Sequence, residues 1–173
     1  VSKESQINRG ESLMMWTDYY KDFPIPSDWE NVSYGNDELP SFACNGYQIW
    51  INSPILAERQ ENYLGIGFKD LSKYEDWIYT IKYERDYAED KDNLLYTNDF
   101  SEVIDFVKKP TLYGLVGVLE YEFNYGLPFR DWEDKEVIQF IQDFLNGKTE
   151  YKIDDKFPKE VFTKFLKENE NGK

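Results

Sequence analysis

At 173 residues the chain has the length of one domain, and its 40% hydrophobic and 18% aromatic content exclude an acidic disordered tail. Thirty-four Asp and Glu against 20 Lys and Arg leave a net charge of −14, which sets the protein against direct binding to nucleic acid or an anionic membrane and favours basic partners. With no histidine and one cysteine, Cys44, it lacks the residues for Ser-His-Asp or Cys-His nucleophile systems, histidine-based zinc sites and an internal disulfide.

The charge is uneven. Residues 1–147 hold 28 acids and 13 bases, a net of −15, whereas 148–173 hold 6 acids and 7 bases, a net of +1. A lone cysteine fits a reducing compartment. No run of about 18 apolar residues is present, and Val1–Glu11 is polar rather than signal-like, so the expected location is the cytoplasm.

Residues 1–12 read as a flexible lead-in, and 13–173 as a single acidic domain. The apolar stretch Leu13–Tyr20 fits strand or helix equally. Residues 21–41, with Pro24, Pro26, Gly35 and Pro40, read as a long loop that Trp29 and Tyr34 pin to the body. Asn45-Gly46 is a turn signal leading into a strand, Tyr47–Ile51. Ser53 caps a short helix that starts at Pro54 and runs to about Glu61, followed by a strand over Tyr63–Phe68.

Trp77–Tyr87 alternates as a strand, with Trp77, Tyr79, Ile81 and Tyr83 on one face and Ile78, Thr80, Lys82 and Glu84 on the other. Ala88–Asn93 turns the chain and Leu94–Thr97 returns as its partner. Asp99 and Glu102 then form a capping arrangement for a helix ending before Pro110, with Phe100, Val103, Ile104 and Val107 as its apolar face.

Leu112–Tyr125 reads as a long strand or a bulged pair kinked at Gly114 and Gly117. In that reading Leu119, Tyr121, Phe123 and Tyr125 point inward, and Glu120 and Glu122 outward. Asp131 starts a helix over Trp132–Asn146 with Gly147 as its stop, and a last helix spans Pro158–Lys167. The expected fold class is α+β, a single domain with an antiparallel or mixed sheet and three or four helices packed on it.

No motif in the chain carries recognisable chemistry. Gly65-Ile66-Gly67 is half of a dinucleotide fingerprint inside an expected strand. Glu133-Asp134-Lys135 and Glu89-Asp90-Lys91 fit the [DE]xK pattern of metal-dependent nucleases, but one lies in a helix's first turn, where acids favour the dipole, and the other in a turn. Asp86–Asp92 lacks the glycine and the bidentate glutamate of a calcium loop. No cofactor, metal or catalytic residue is assigned, and the protein is read as a binding protein rather than an enzyme.

The binding signal lies in three acidic groups. The first is Asp18, Asp22, Asp28, Glu30, Asp37 and Glu38, with Lys21 the only base among them. The second runs from Asp70 to Asp105 with 11 acids and 4 bases, and includes Glu84, Asp86, Glu89, Asp90 and Asp92. The third is Glu120, Glu122, Asp131, Glu133, Asp134 and Glu136. Interleaved aromatics (Tyr19, Tyr20, Trp29, Tyr34, Tyr87, Trp132) are candidate anchors. A surface of carboxylates offers a phosphate-binding groove a substitute for nucleic acid.

In size, charge, aromatic content and lack of catalytic residues, the chain resembles the acidic anti-defence proteins of phages and mobile elements, which include DNA-mimic antirestriction and some anti-CRISPR proteins. The resemblance is one of composition, and it carries over no site residue. It implies a basic nucleic-acid-binding partner, a host defence nuclease or its guide complex. Three other readings remain open: an immunity protein neutralising a basic toxin, a general interaction module, and a carboxylate-based metal-dependent enzyme.

Overall fold

The computed structural model describes residues 21, 23–34, 37, 39–65, 67–84, 93–124, 126–152 and 154–170. The expectations for 1–12 and for Leu13–Tyr20, together with Asp22, Gly35, Glu38, Tyr125 and the acidic turn 85–92, lie outside the described residues.

One antiparallel sheet of five strands in the order β1-β2-β3-β4-β5 forms the first layer. Its strands are β1 (Glu30–Asn31), β2 (Ser41–Cys44), β3 (Tyr47–Ile51), β4 (Tyr79–Tyr83) and β5 (Leu95–Thr97). Asn45 and Gly46, both at positive φ (52° and 83°), join β2 to β3 in a two-residue turn. A turn of that twist needs residues that tolerate the left-handed region, and Asn-Gly supplies both.

The register places Phe42 beside Ile49, Ile49 beside Ile81 and Ile81 beside Leu95, so one sheet face is a continuous apolar ladder. Helix α2 (Phe100–Val107) covers it with Phe100, Val103, Ile104 and Val107. Asp99 caps that helix as expected, accepting the Ser101 N–H at 2.8 Å. Trp29 is buried against Phe100, with ring centroids 5.9 Å apart, and does pin its loop. Tyr34 does not, being 64% exposed.

The second layer is helical: α3 (Leu112–Glu122), a 3-10 turn (Phe129–Asp131), α4 (Asp134–Leu145) and α5 (Lys159–Glu170). Leu115, Leu119, Phe129, Ile141, Phe144 and Phe162 form its core. The sheet and these helices therefore have separate cores. They meet at the β2–β3 turn, which lies on the first turn of α3. A methyl added to Gly114 stands 3.0 Å from the Gly46 carbonyl oxygen and 3.3 Å from the Tyr83 ring.

Several expectations are corrected. The segment 112–125 is not a strand: Leu112–Glu122 is helical, with Thr111 as N-cap accepting the Gly114 N–H at 3.3 Å. Gly114 through Glu120 is buried without a break, so the helix is apolar on nearly all sides and shows no 3.6-residue period. The alternation seen there does not reflect a pleat, since Tyr121 is 41% exposed. Gly114 and Gly117 are both buried in a helix rather than strand kinks, and Gly114 is a contact point.

Tyr63–Phe68 is not a strand either. Tyr63–Gly65 completes α1 (Leu56–Gly65), after which the chain turns at Gly67 (φ 105°) and Phe68 stacks on Tyr63 at 4.0 Å. Helix α1 thus starts two residues after Pro54 and runs past Glu61. Among the described residues, the strand expected over Trp77–Tyr87 covers Tyr79–Tyr83, and Asp131 closes the 3-10 turn rather than starting α4. The region 21–41 holds β1 and the start of β2. Among the described residues there are five α-helices, one more than the upper expectation.

Helix α1 is held by one buried arginine. Arg59 is 5% exposed and donates to both Asp76 carboxylate oxygens, at 2.7 and 2.9 Å, and to the Ser53 carbonyl at 2.7 Å. The Asp76 carboxyl is held below its ordinary value, first by the Arg59 hydrogen bond.

The glycine contact between the layers is directly testable. Gly114→Ala is expected to lower stability by about 1–3 kcal/mol in urea unfolding, because the methyl meets backbone that cannot yield. Gly65→Ala, with nothing within 4 Å of its added methyl, is expected to leave stability unchanged or slightly raised.

Candidate functional site

Where the two layers diverge from the Gly46–Gly114 contact they leave an open cleft of about 780 Å³. Its floor is apolar, with Ala43 and Cys44 from β2, Leu115 and Val118 from α3, and Phe157 and Phe162 from the α5 side. Four of the carboxylates expected in the partner surface, Asp28, Glu30, Glu84 and Glu122, line it. They come from three segments, so only the fold brings them together.

Local structure explains each placement. Trp29 is buried, so its neighbours Asp28 and Glu30 are left on the surface of the β1 edge. Glu84 follows β4, and its N–H donates to the Gly46 carbonyl at 2.9 Å, which fixes it beside the turn. Glu122 ends α3 and is exposed. Across the cleft stand Lys156, Lys159 and Lys164 with Asp155 and Glu160. Lys164 donates to the Lys108 carbonyl at the end of α2 at 2.8 Å, where the carbonyl end of a helix favours a cation.

Cys44 reports the field at the floor. Its thiol is pushed up to about 11, first by burial, then by the nearby Asp28 and also Glu84, while Lys164 pulls the other way. Burial and the carboxylates outweigh the lysine, so the thiol stays protonated at neutral pH.

The remaining expected site residues are elsewhere. Glu120, expected on the surface, is 6% exposed and buried in α3. Its carboxylate accepts from the Arg130 backbone N–H at 3.1 Å and from Arg130 Nε at 3.0 Å, and so ties the 3-10 turn to the helix. Arg130 also lies over the Tyr113 ring, 5.2 Å from its centroid. A carboxylate so placed is internal structure, not partner surface.

Asp37 accepts the Tyr34 N–H at 2.7 Å within a turn. Asp131, at the end of the 3-10 turn, and Glu133 and Asp134, at the start of α4, are exposed but away from the cleft lining. Glu38, Asp86, Glu89, Asp90 and Asp92 lie outside the described residues. Of the candidate anchors, Trp29 belongs to the sheet core and Trp132 packs edge-on against Phe129 and Phe140. Tyr19, Tyr20 and Tyr87 are outside the described residues.

Glu133-Asp134-Lys135 serves helix geometry. The Glu133 N–H donates to the Glu136 carboxylate at 2.9 Å, and Lys135 pairs with Glu133 at 2.6 Å. Among the described residues no three His, Cys, Asp or Glu side chains stand close enough to hold a metal ion. Sequence reasoning missed the apolar floor and the lysine side of the cleft. Its one available signal was the change in charge balance at Lys148.

Comparison with known proteins finds no matching family model, no similar curated protein and no similar solved structure.

Two measurements check this geometry. At pH 8 the folded protein should react with Ellman's reagent on the order of 100-fold more slowly than in urea, because a thiol held about two pH units high forms that much less thiolate. Glu120→Gln should cost about 1.5–3 kcal/mol in urea unfolding, since it removes the charge that Arg130 meets, whereas the exposed Glu133→Gln should change stability by less than about 0.5 kcal/mol.

Proposed function

We propose that this protein is an acidic binding domain that occupies the basic, nucleic-acid-binding surface of a partner protein, a nuclease or its guide complex, and so inhibits it. The observation that carries this reading is the convergence of Asp28, Glu30, Glu84 and Glu122 on one cleft. In a chain of net charge −14 that end presents carboxylates to any approaching surface. A groove that holds DNA does so mainly through Lys and Arg on phosphates, and such a groove accepts carboxylates in their place.

The charge also speeds the encounter, because oppositely charged surfaces steer each other over about one Debye length. The carboxylates need no chemistry to act. They need only outcompete phosphate for the same cations.

A second reading is favoured by the apolar floor. Val32, Pro158 and Val161, partly exposed beside the carboxylates, add apolar contact area that salt does not screen. An immunity protein that holds one basic toxin tightly uses that combination. The two readings share a surface and differ in partner and in salt response.

The discriminating experiment retains the tagged protein on resin, passes over it a bacterial lysate expressing candidate defence nucleases, and challenges the complex with duplex DNA and with salt. A nuclease released by DNA, and progressively between about 50 mM and about 500 mM salt as screening shortens, is the expected result. A toxin retained through the salt series would move the immunity reading forward. Retention of no nucleic-acid-binding protein would overturn both.

A further inference from the structure

We infer that Asn45 is a modification site coupled to the fold: when the junction between the two layers opens, Asn45 deamidates through the Gly46 nitrogen, and the product does not close the junction again. The inference is independent of what the cleft binds.

Asn-Gly is the most labile setting for an asparagine, because glycine has no side chain to shield its backbone nitrogen from the amide before it. The Gly46 nitrogen bonds to Asn45 Cγ, the bond from Cγ to Nδ2 breaks, and ammonia leaves with the Gly46 amide proton. Water then opens the succinimide ring at either carbonyl, which leaves aspartate or isoaspartate. Solvent water is the only other reactant.

The described residues contain two Asn-Gly pairs, and the fold guards them differently. At the end of α4 the Gly147 N–H donates to the Phe144 carbonyl at 3.0 Å, and Asn146 Nδ2 donates to the Gln142 carbonyl at 2.7 Å. Both bonds belong to one exposed helix end, so fraying of that end alone releases them. At Asn45 the guard is tertiary. Its Nδ2 donates to the Val107 and Lys108 carbonyls at 2.7 and 3.3 Å, 62 and 63 positions along the chain. Among the described residues nothing accepts the Gly46 N–H, so the attacking nitrogen is unbonded and the amide alone is held. Gly46 is itself buried against Gly114, whose carbonyl carbon an added methyl would meet at 3.1 Å. The Gly46 peptide therefore cannot swing toward Asn45 Cγ while the layers touch.

Opening the junction removes both restraints at once, and what then forms does not fit back. An aspartate carboxylate has no N–H, so the Val107 carbonyl loses its donor and faces a negative charge. Lys164 already donates to the Lys108 carbonyl, while Asp28 and Glu84 line the same cleft, so the new charge meets two acids and one base. Isoaspartate also lengthens the backbone of a turn built from two residues. A chain that has opened is thereby marked and kept from restoring the walls of its cleft.

The test incubates the whole chain in mildly alkaline buffer, with and without urea, and follows conversion at Asn45 and Asn146 by peptide mapping. Asn45 should convert at least about tenfold more slowly in the folded chain than in urea. Gly114→Ala, which strains the junction, should raise the folded-state rate at Asn45 about 5–30-fold and leave the rate at Asn146 unchanged. If that variant does not fold, Tyr113→Ala should give the same contrast, since it removes a partly exposed ring packed across the junction on Tyr83. Asn45→Asp, the product installed directly, should unfold at a lower urea concentration than the parent chain.

Conversion of Asn45 as fast in the folded chain as in urea would overturn the inference. So would equal acceleration of both asparagines in the loosened variants. An Asn45→Asp chain that unfolds together with the parent would overturn the one-way step.

Discussion

Two glycines facing each other hold this architecture together. The Asn45-Gly46 turn and the first turn of α3 approach until a methyl on either glycine would stand 3.0–3.1 Å from the other's backbone. Neither layer shares its core with the other, so this contact and its surroundings set their relative position. Asn45 Nδ2 donates to the Val107 carbonyl at 2.7 Å, Lys164 donates to the Lys108 carbonyl at 2.8 Å, and Tyr83 packs on Tyr113 at 4.6 Å. Turn, helix end and sheet edge thus converge on one junction, with the unpaired carbonyls at the end of α2 as shared acceptors.

The cleft is a consequence of that junction. Two layers that touch through backbone at one point must diverge on either side of it, because side chains larger than hydrogen fill the next positions along each element. The acidic groups at the β1 edge, after β4 and at the end of α3 then stand around a common opening. Their mutual repulsion opposes compactness, as net charge does in general. The two layer cores, with Ile49, Ile51 and Ile81 on one side and Leu115, Phe129 and Phe162 on the other, fully bury their side chains and offset it.

Buried charge elsewhere in the fold is structural. Among the described residues, Glu120 with Arg130 and Arg59 with Asp76 each set one buried charge against a partly exposed partner. Each ties an irregular segment to a helix: the 3-10 turn to α3, and the 67–78 stretch to α1. Both exchange solvation for fixed geometry, which suits segments with little apolar surface of their own. Of the cleft carboxylates, Asp28, Glu30 and Glu122 are exposed and Glu84 half-buried, and among the described residues Asp28 and Glu30 have no internal cation.

What could be read from the residues alone follows from how local the relevant physics is. The Asn45-Gly46 hairpin, the strand through Ile81, the Asp99 cap and the α4 and α5 helices are each set by turn chemistry or periodicity within a dozen residues. The α+β class followed from them. Helix α3 was not legible as a helix, because a segment buried on nearly every side has no polar face to mark its period. Tyr63–Gly65 read as strand because its aromatics and glycines carry β preference, and tertiary context overrode it. The expectation of a basic partner rests on net charge and the absent histidine. Only the tertiary structure decided which acids stand together: it buried Glu120, left Glu133 and Asp134 at a helix start, and drew Asp28, Glu30, Glu84 and Glu122 around one cleft. Residues nearly one hundred positions apart meet there through packing of two layers, and no local pattern in a chain encodes that meeting.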